Sequence, residues 1–298
     1  MNPEGLTAMP MPFIVLDQNA LRCSKTISEA SDRCRRENLQ LLIPDVAGFE
    51  FSNVGDPHQT WKRSLREVGR VSELVVVSRK ITHVWKEEIK EGVPCISLAD
   101  DGATSIFRSM LRQDSSGDES AIRNFVNGPV KQMMPPAIQH WSDHEQFKTM
   151  IGSFRDFLES SLPEATLKNL RKDRANAMIA WLCSPDGVRF VVQGIMSQGA
   201  AREDTFQLAA RPSAIGGFIS GMTALALYWL AFGGFETIKA ADITNDLHDL
   251  EYAILGSLCE SLVTADKRMK VIHQAIKEST VGRARWFVRA MRMGPENV

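Results

Sequence analysis

The chain has 298 residues, of which 44% are hydrophobic, enough to fill the core of one large or two ordinary domains. Its 35 Lys plus Arg nearly cancel its 36 Asp plus Glu, which excludes a protein that holds nucleic acid by bulk positive charge; any basic surface has to be local. The five cysteines, Cys23, Cys34, Cys95, Cys183 and Cys259, form no CxxC pair and are odd in number, arguing against a disulfide framework or zinc site and for reduced thiols in the cytoplasm.

The opening residues lack a basic start and a long apolar run, so no export signal is expected. Phe13 to Leu16, FIVL, is a short apolar run that stops at Asp17, with Asn19 close behind. It reads as a buried strand delivering polar side chains at its carboxyl end. Mixed charge from about residue 20 to 38 suits a helix, and Leu39 to Ile43, closed by Pro44, reads as a second strand. Strand, helix, strand is the rhythm of a parallel sheet in an α/β fold. DVAGFEF turns into a helix with Glu50 one turn in, and Leu74 to Val77 is a third strand, or alternatively helix.

From Ile81 the pattern becomes helical over a long distance, with helices expected at 144–158 and 167–182. His140 and His144, four apart beside Asp143, lack a third ligand at convincing spacing and are set aside as a metal site. Ser213 to Phe235 is uncharged and about the ~20 residues that a bilayer span requires. A span there would put the two ends of the chain on opposite sides of a membrane, so a buried helix is expected instead. An acidic helix at 241–258 then leads into Ser261 to Ala265, which again runs up to an aspartate, Asp266.

Two strands that each run up to an Asp matter because ligands of open parallel sheets sit outside the carboxyl ends of the strands. The acidic helix feeding the second carries Asp242, Asp246 and Asp249 on one face. Asp242 fits equally a helix start, where negative charge is favourable, whereas the apolar neighbours of Asp249 hold it near the sheet end. Clustered carboxylates need a compensating cation, and an all-oxygen set selects magnesium or manganese.

These segments resemble the PIN-domain nucleases. FIVLDQN is similar to the opening of that family, an apolar strand ending in Asp, any residue, Asn. LLIPDVAGFEF is similar to its strand, proline and helix bearing the first glutamate, and NDLHDLEYAILGSLCESLVTADKRM to its acidic helix and strand ending in Thr, any residue, Asp. The resemblance implies a small parallel-sheet PIN-like domain, assembled from 1–80 together with 240–298, with a large all-helical insertion at 81–239. It implies a Mg2+- or Mn2+-dependent nuclease with Asp17, Glu50, Asp249 and Asp266 as catalytic residues. Asp17, Asp249 and Asp266 would ligate the metal, with Asn19, Asp246 and Thr264 in support. The middle of the chain departs from the compact family pattern.

A local basic stretch, Lys267, Arg268, Lys270, Lys277, Arg283, Arg285, Arg289 and Arg292, faces one acid, Glu278. Lys267, Arg268, Arg285 and Arg289 are expected to contact nucleic acid, with Trp286 and Phe287 available to stack on bases or, alternatively, to pack on the core. The expected activity is phosphodiester hydrolysis, in RNA more than DNA, in the manner of a toxin or defence effector. The alternative is a catalytically silent RNA- or protein-binding module. The helical region is the expected surface for self-association or a regulatory protein.

Overall fold

The computed structural model describes residues 10–52, 56–118, 120–130, 144–232 and 235–293. Four strands, β1 (Met11–Leu16), β2 (Gln40–Ile43), β3 (Val75–Val77) and β4 (Cys259–Val263), form one all-parallel sheet in the order β3-β2-β1-β4. Ile14, Val15, Leu16, Leu41, Leu42 and Val75 are at most 1% exposed, as expected of parallel strands covered on both faces. The register sets Ile14 beside Leu41 on one side and beside Ser261 on the other.

Helices α1 (Gln18–Leu21) and α2 (Ser24–Glu37) link β1 to β2. Helices α3 (Asp45–Ser52) and α4 (Pro57–Leu65), with a 3-10 segment at Val68–Leu74, lead to β3. The long crossover to β4 carries α5 (Ile81–Glu91), α6 (Asp101–Ser115), α7 (Ala121–Phe125), α8 (His144–Ser161), α9 (Glu164–Lys172), α10 (Arg174–Leu182), α11 (Pro185–Ser197), α12 (Arg202–Ala210), α13 (Ala214–Phe232) and α14 (Ala240–Leu258). Helix α15 (Lys267–Met293) follows β4.

Three boundaries differ from the sequence reading. The helix expected from about residue 20 is two, because the chain turns at Arg22 and Cys23. The helix expected over 167–182 starts earlier and breaks at Asp173, whose backbone leaves the helical region. The last strand ends at Val263 rather than running to Asp266. There the Asp266 N–H donates to Thr264 Oγ1 at 3.0 Å, and Asp266 Oδ1 accepts from the Met269 N–H at 2.7 Å, so Asp266 caps α15. His140 and Asp143 lie outside the described residues.

The uncharged helix α13 is the hub. Its stretch Ala214–Ala231 is long and apolar enough to cross a membrane, yet 67% of it is buried inside the protein, against α8, α14 and α15. Gly221 permits this approach: a Cβ there would stand 2.4 Å from Leu250 Cδ1 of α14. The amino end of α13 is closed by a buried carboxylate, Glu88, whose Oε1 and Oε2 accept the Ala214 and Ile215 N–H groups at 2.9 Å each. Buried residues from the sheet and from much of the helical crossover form one contiguous apolar cluster, while Val191 and Ile195 of α11 and Leu208 of α12 belong to a second one with Ile215 and Phe287.

Candidate acidic active site

The strand order reverses at β1: β2 and β3 lie on one side of it, β4 on the other. This is a topological switch point, where loops leaving two neighbouring strands diverge and open a crevice. Asp17 follows β1 directly, and its N–H donates to Val263 O at 3.3 Å, prolonging the ladder by one rung. Asp266 lies three residues beyond β4. The apolar runs bring both aspartates to the same rim.

Asp17 is 1% exposed, and its two oxygens do different things. Oδ1 accepts the Ala20 N–H at 2.6 Å and caps α1, while Oδ2 is buried with no hydrogen-bond partner. A buried carboxylate oxygen left without a donor is costly unless something else satisfies it.

Glu50, on α3, enters from the β2 side and accepts a 2.6 Å hydrogen bond from the Tyr252 hydroxyl of α14. Burial pushes its carboxyl up to about 7; the Tyr252 bond opposes this, and the charges of Asp249 and Asp17 add to it. Asp249, one turn before Tyr252, is raised to about 6 by burial, against the pull of Arg268 and with the charges of Asp266 and Asp17 reinforcing the rise. Asp17, Glu50, Asp249 and Asp266 are therefore electrostatic neighbours, although they come from four separate segments.

Arg268, on the first turn of α15, bridges Asp249 and a further acid of α14, Asp246. Its Nη2 contacts Asp246 Oδ1 closely and lies 3.4 Å from Asp249 Oδ2. Asp246 is 2% exposed and raised to about 7, chiefly by burial, with Arg268 opposing. The contact with Arg268 is one of charge: neither Asp246 oxygen receives a hydrogen bond of good geometry. The expected supports divide. Thr264 is buried and holds Asp266, whereas Asn19 is exposed on α1.

Donor chemistry fits a hard divalent cation, since the four acids offer only oxygen and Asp17 Oδ2 is an unpartnered ligand atom. Among the described residues no three His, Cys, Asp or Glu side chains converge closely enough to hold an ion as they stand. Arg268 balances the charge of Asp246 and Asp249 instead.

The sequence reading missed several participants. Tyr252 lacked any signal beyond its place in the acidic helix. A second charged group lies beside Glu50, where Asp45, just after β2, and Glu251 flank Lys80, just after β3. Burial raises Asp45 to about 6 and Glu251 well above the ordinary range, with the Lys80 charge opposing both. Asp45 lies two residues beyond β2, one further than Asp17 lies beyond β1, and that near-parallel was visible in the sequence.

Of the basic stretch, Lys267, Arg285 and Arg289 are exposed, and the Arg292 side chain lies outside the described part. Arg283 is not on that surface: it is wholly buried, donating to Ala209 O at 2.7 Å and to the hydroxyls of Ser220 and Ser279 at 2.6 Å each. Phe287 is buried against Phe206, ring centroids 5.5 Å apart, and so packs on the core rather than offering a base platform.

The chain matches no protein-family model, and it has no match among curated proteins or solved structures.

Proposed function

We propose that the chain is a PIN-like, Mg2+- or Mn2+-dependent nuclease that hydrolyses phosphodiester bonds, in RNA rather than DNA, within the cytoplasm. The observation that carries this is Asp17: a carboxylate 1% exposed at the switch point of a parallel sheet, with Oδ2 unpartnered and Glu50 and Asp249 as its charged neighbours. A cation bound there would offset the mutual repulsion of these acids in their ionised forms.

In this reading Asp17, Asp249 and Asp266 hold the metal, and Glu50 positions the attacking water. When bound, the metal polarises the phosphodiester and supplies the counter-charge. Glu50, with a carboxyl near 7, can accept a proton from that water at neutral pH, and the Tyr252 hydroxyl fixes the rotamer in which it does so. Thr264 holds the loop that carries Asp266. Lys267, Arg285 and Arg289 supply phosphate contacts along α15.

The test is metal-dependent cleavage of labelled RNA and DNA by wild type, Asp17→Asn and Asp266→Asn. Loss of cleavage in both variants supports the site, and undiminished cleavage in both rejects it. A second reading, a catalytically silent RNA- or protein-binding module, draws on Arg268 lying between Asp246 and Asp249. Nucleic-acid affinity without turnover in either metal would select it.

A further inference from the structure

Arg268 is placed as a cation in its own right. The pair Asp246 and Asp249, three residues apart on one face of α14, would repel each other inside the protein, and Nη2 of Arg268 meets both. We propose that Arg268 is a resident counter-ion which a divalent cation has to displace, so that filling the acidic site moves the guanidinium off Asp249 and towards Trp229. This rests on the metal-dependent reading above and names how that site is gated.

Three features support the exchange. First, the two contacts are unequal. The Asp246 side chain is fully buried, whereas the side chains of Asp249 and Arg268 are each 26% exposed, and the Asp249 contact, although it is the hydrogen-bonded one of the two, is the longer at 3.4 Å. The Asp249 side is the one that opens. Second, a guanidinium and a divalent cation are like charges, so a metal ion at Asp249 repels Arg268 across a partly desolvated site and weakens its hold there. Third, there is somewhere to go. A cleft of about 440 Å³ lies beside Asp246, walled by Trp229, Ile238, Lys239, Asn245 and Arg268 itself. The Arg268 guanidinium carbon is already 6.0 Å from the Trp229 ring centroid, at the edge of cation–π range.

The test uses Mn2+ alone, without nucleic acid, titrated calorimetrically into the full chain as wild type, Arg268→Gln, Arg268→Lys and Asp17→Asn. The expected result is at least tenfold tighter Mn2+ binding by Arg268→Gln, an intermediate value for Arg268→Lys, and loss of binding in Asp17→Asn. A second measurement uses wild type itself: saturating Mg2+ changes the tryptophan emission, and that change is absent in Trp229→Phe. Unchanged or weaker Mn2+ binding by a folded Arg268→Gln overturns the proposal. Should that variant fail to fold, a Trp229 emission indifferent to Mg2+ overturns it instead. If wild type and Asp17→Asn bind Mn2+ alike, or neither binds, the metal reading itself falls; if wild type binds through Asp17 and Arg268→Gln binds no tighter, only the role of Arg268 falls.

Discussion

The Tyr252 hydroxyl reaches Glu50 Oε2 at 2.6 Å across a sequence separation of 202 residues, tying the α3 edge of the acidic rim to the α14 edge. Because this bond favours the ionised carboxylate while burial disfavours it, Tyr252→Phe is expected to drive the Glu50 carboxyl above its present value near 7. The acidic limb of the pH–rate profile should move to higher pH, with activity recovering in alkaline buffer. Removing a donor from a buried carboxylate should also cost about 1–3 kcal/mol in urea unfolding. A profile that does not move would mean that Glu50 takes no part in proton transfer.

Asp17 permits its two roles to be separated. Asp17→Asn keeps an Oδ1 acceptor for the Ala20 N–H and removes the charge at Oδ2, so the fold should survive while Mn2+ binding and cleavage disappear. Asp17→Ala loses the cap as well and should be less stable by about 1 kcal/mol. Thermal melts of the two variants alongside calorimetry distinguish these effects, and Mn2+ binding retained by Asp17→Asn counts against the site.

Stability of the metal-free protein should fall as pH rises. Burial lifts Glu50 and Asp246 to about 7 and Asp249 and Asp45 to about 6, all above their unfolded values near ~4. The native state therefore holds more protons, and the contribution of these groups is full below pH ~4 and lost as pH passes through 6 to 7. Melting followed from pH 5 to 8 should show this decline, and saturating Mg2+ should reduce it. A ligand bound only by the native state at a hundred times its Kd adds about 2.7 kcal/mol.

The basic helix divides into two classes. Arg285→Ala and Arg289→Ala should weaken RNA binding and lower the salt slope by about one each, with little change in melting. Arg283→Met should leave the slope unchanged and destabilise the fold, because the Ser220 and Ser279 hydroxyls and the Ala209 carbonyl lose their buried donor. Binding isotherms at several salt concentrations, set beside melts, check both halves.

Helix α13 should act on the site from a distance. A Cβ on Gly221 meets Leu250 at 2.4 Å, so Gly221→Val forces α14 outward and carries Asp249 with it. The expected cost is about 1–3 kcal/mol of stability, together with weaker Mn2+ binding. Unaltered Mn2+ affinity would show that α14 can shift without disturbing the rim.

Much of the fold was legible because apolar runs such as FIVL and LLI admit few alternatives when closed by Asp17 and Pro44. Asp17 and Asp266 could be named from strand ends and Asp249 from its apolar helix neighbours, whereas Glu50 was named only through the resemblance to the PIN family. The roles of Tyr252, Arg268 and Arg283 could not be read in the sequence, since each is decided by a partner far along the chain and not by its neighbours. Arg268 and Arg283 sit in the same charge run, one on the rim and one sealed in the core, and local pattern does not separate them. The turn at Asp266 was missed because Thr264 and Ala265 continue an apolar run that ends, by hydrogen bonding, two residues earlier.

The pairing of β1 with β4 also sets an order in time. Leu16 gains its neighbour Val263 only after every helix of the long crossover has been made, and closing a loop of that length is slow. Until then Asp17 has no Asp266 beside it. A ribosome-bound chain halted short of β4 therefore holds only part of the acidic rim and, on the nuclease reading proposed above, is expected to be inert until Asp266 has joined it.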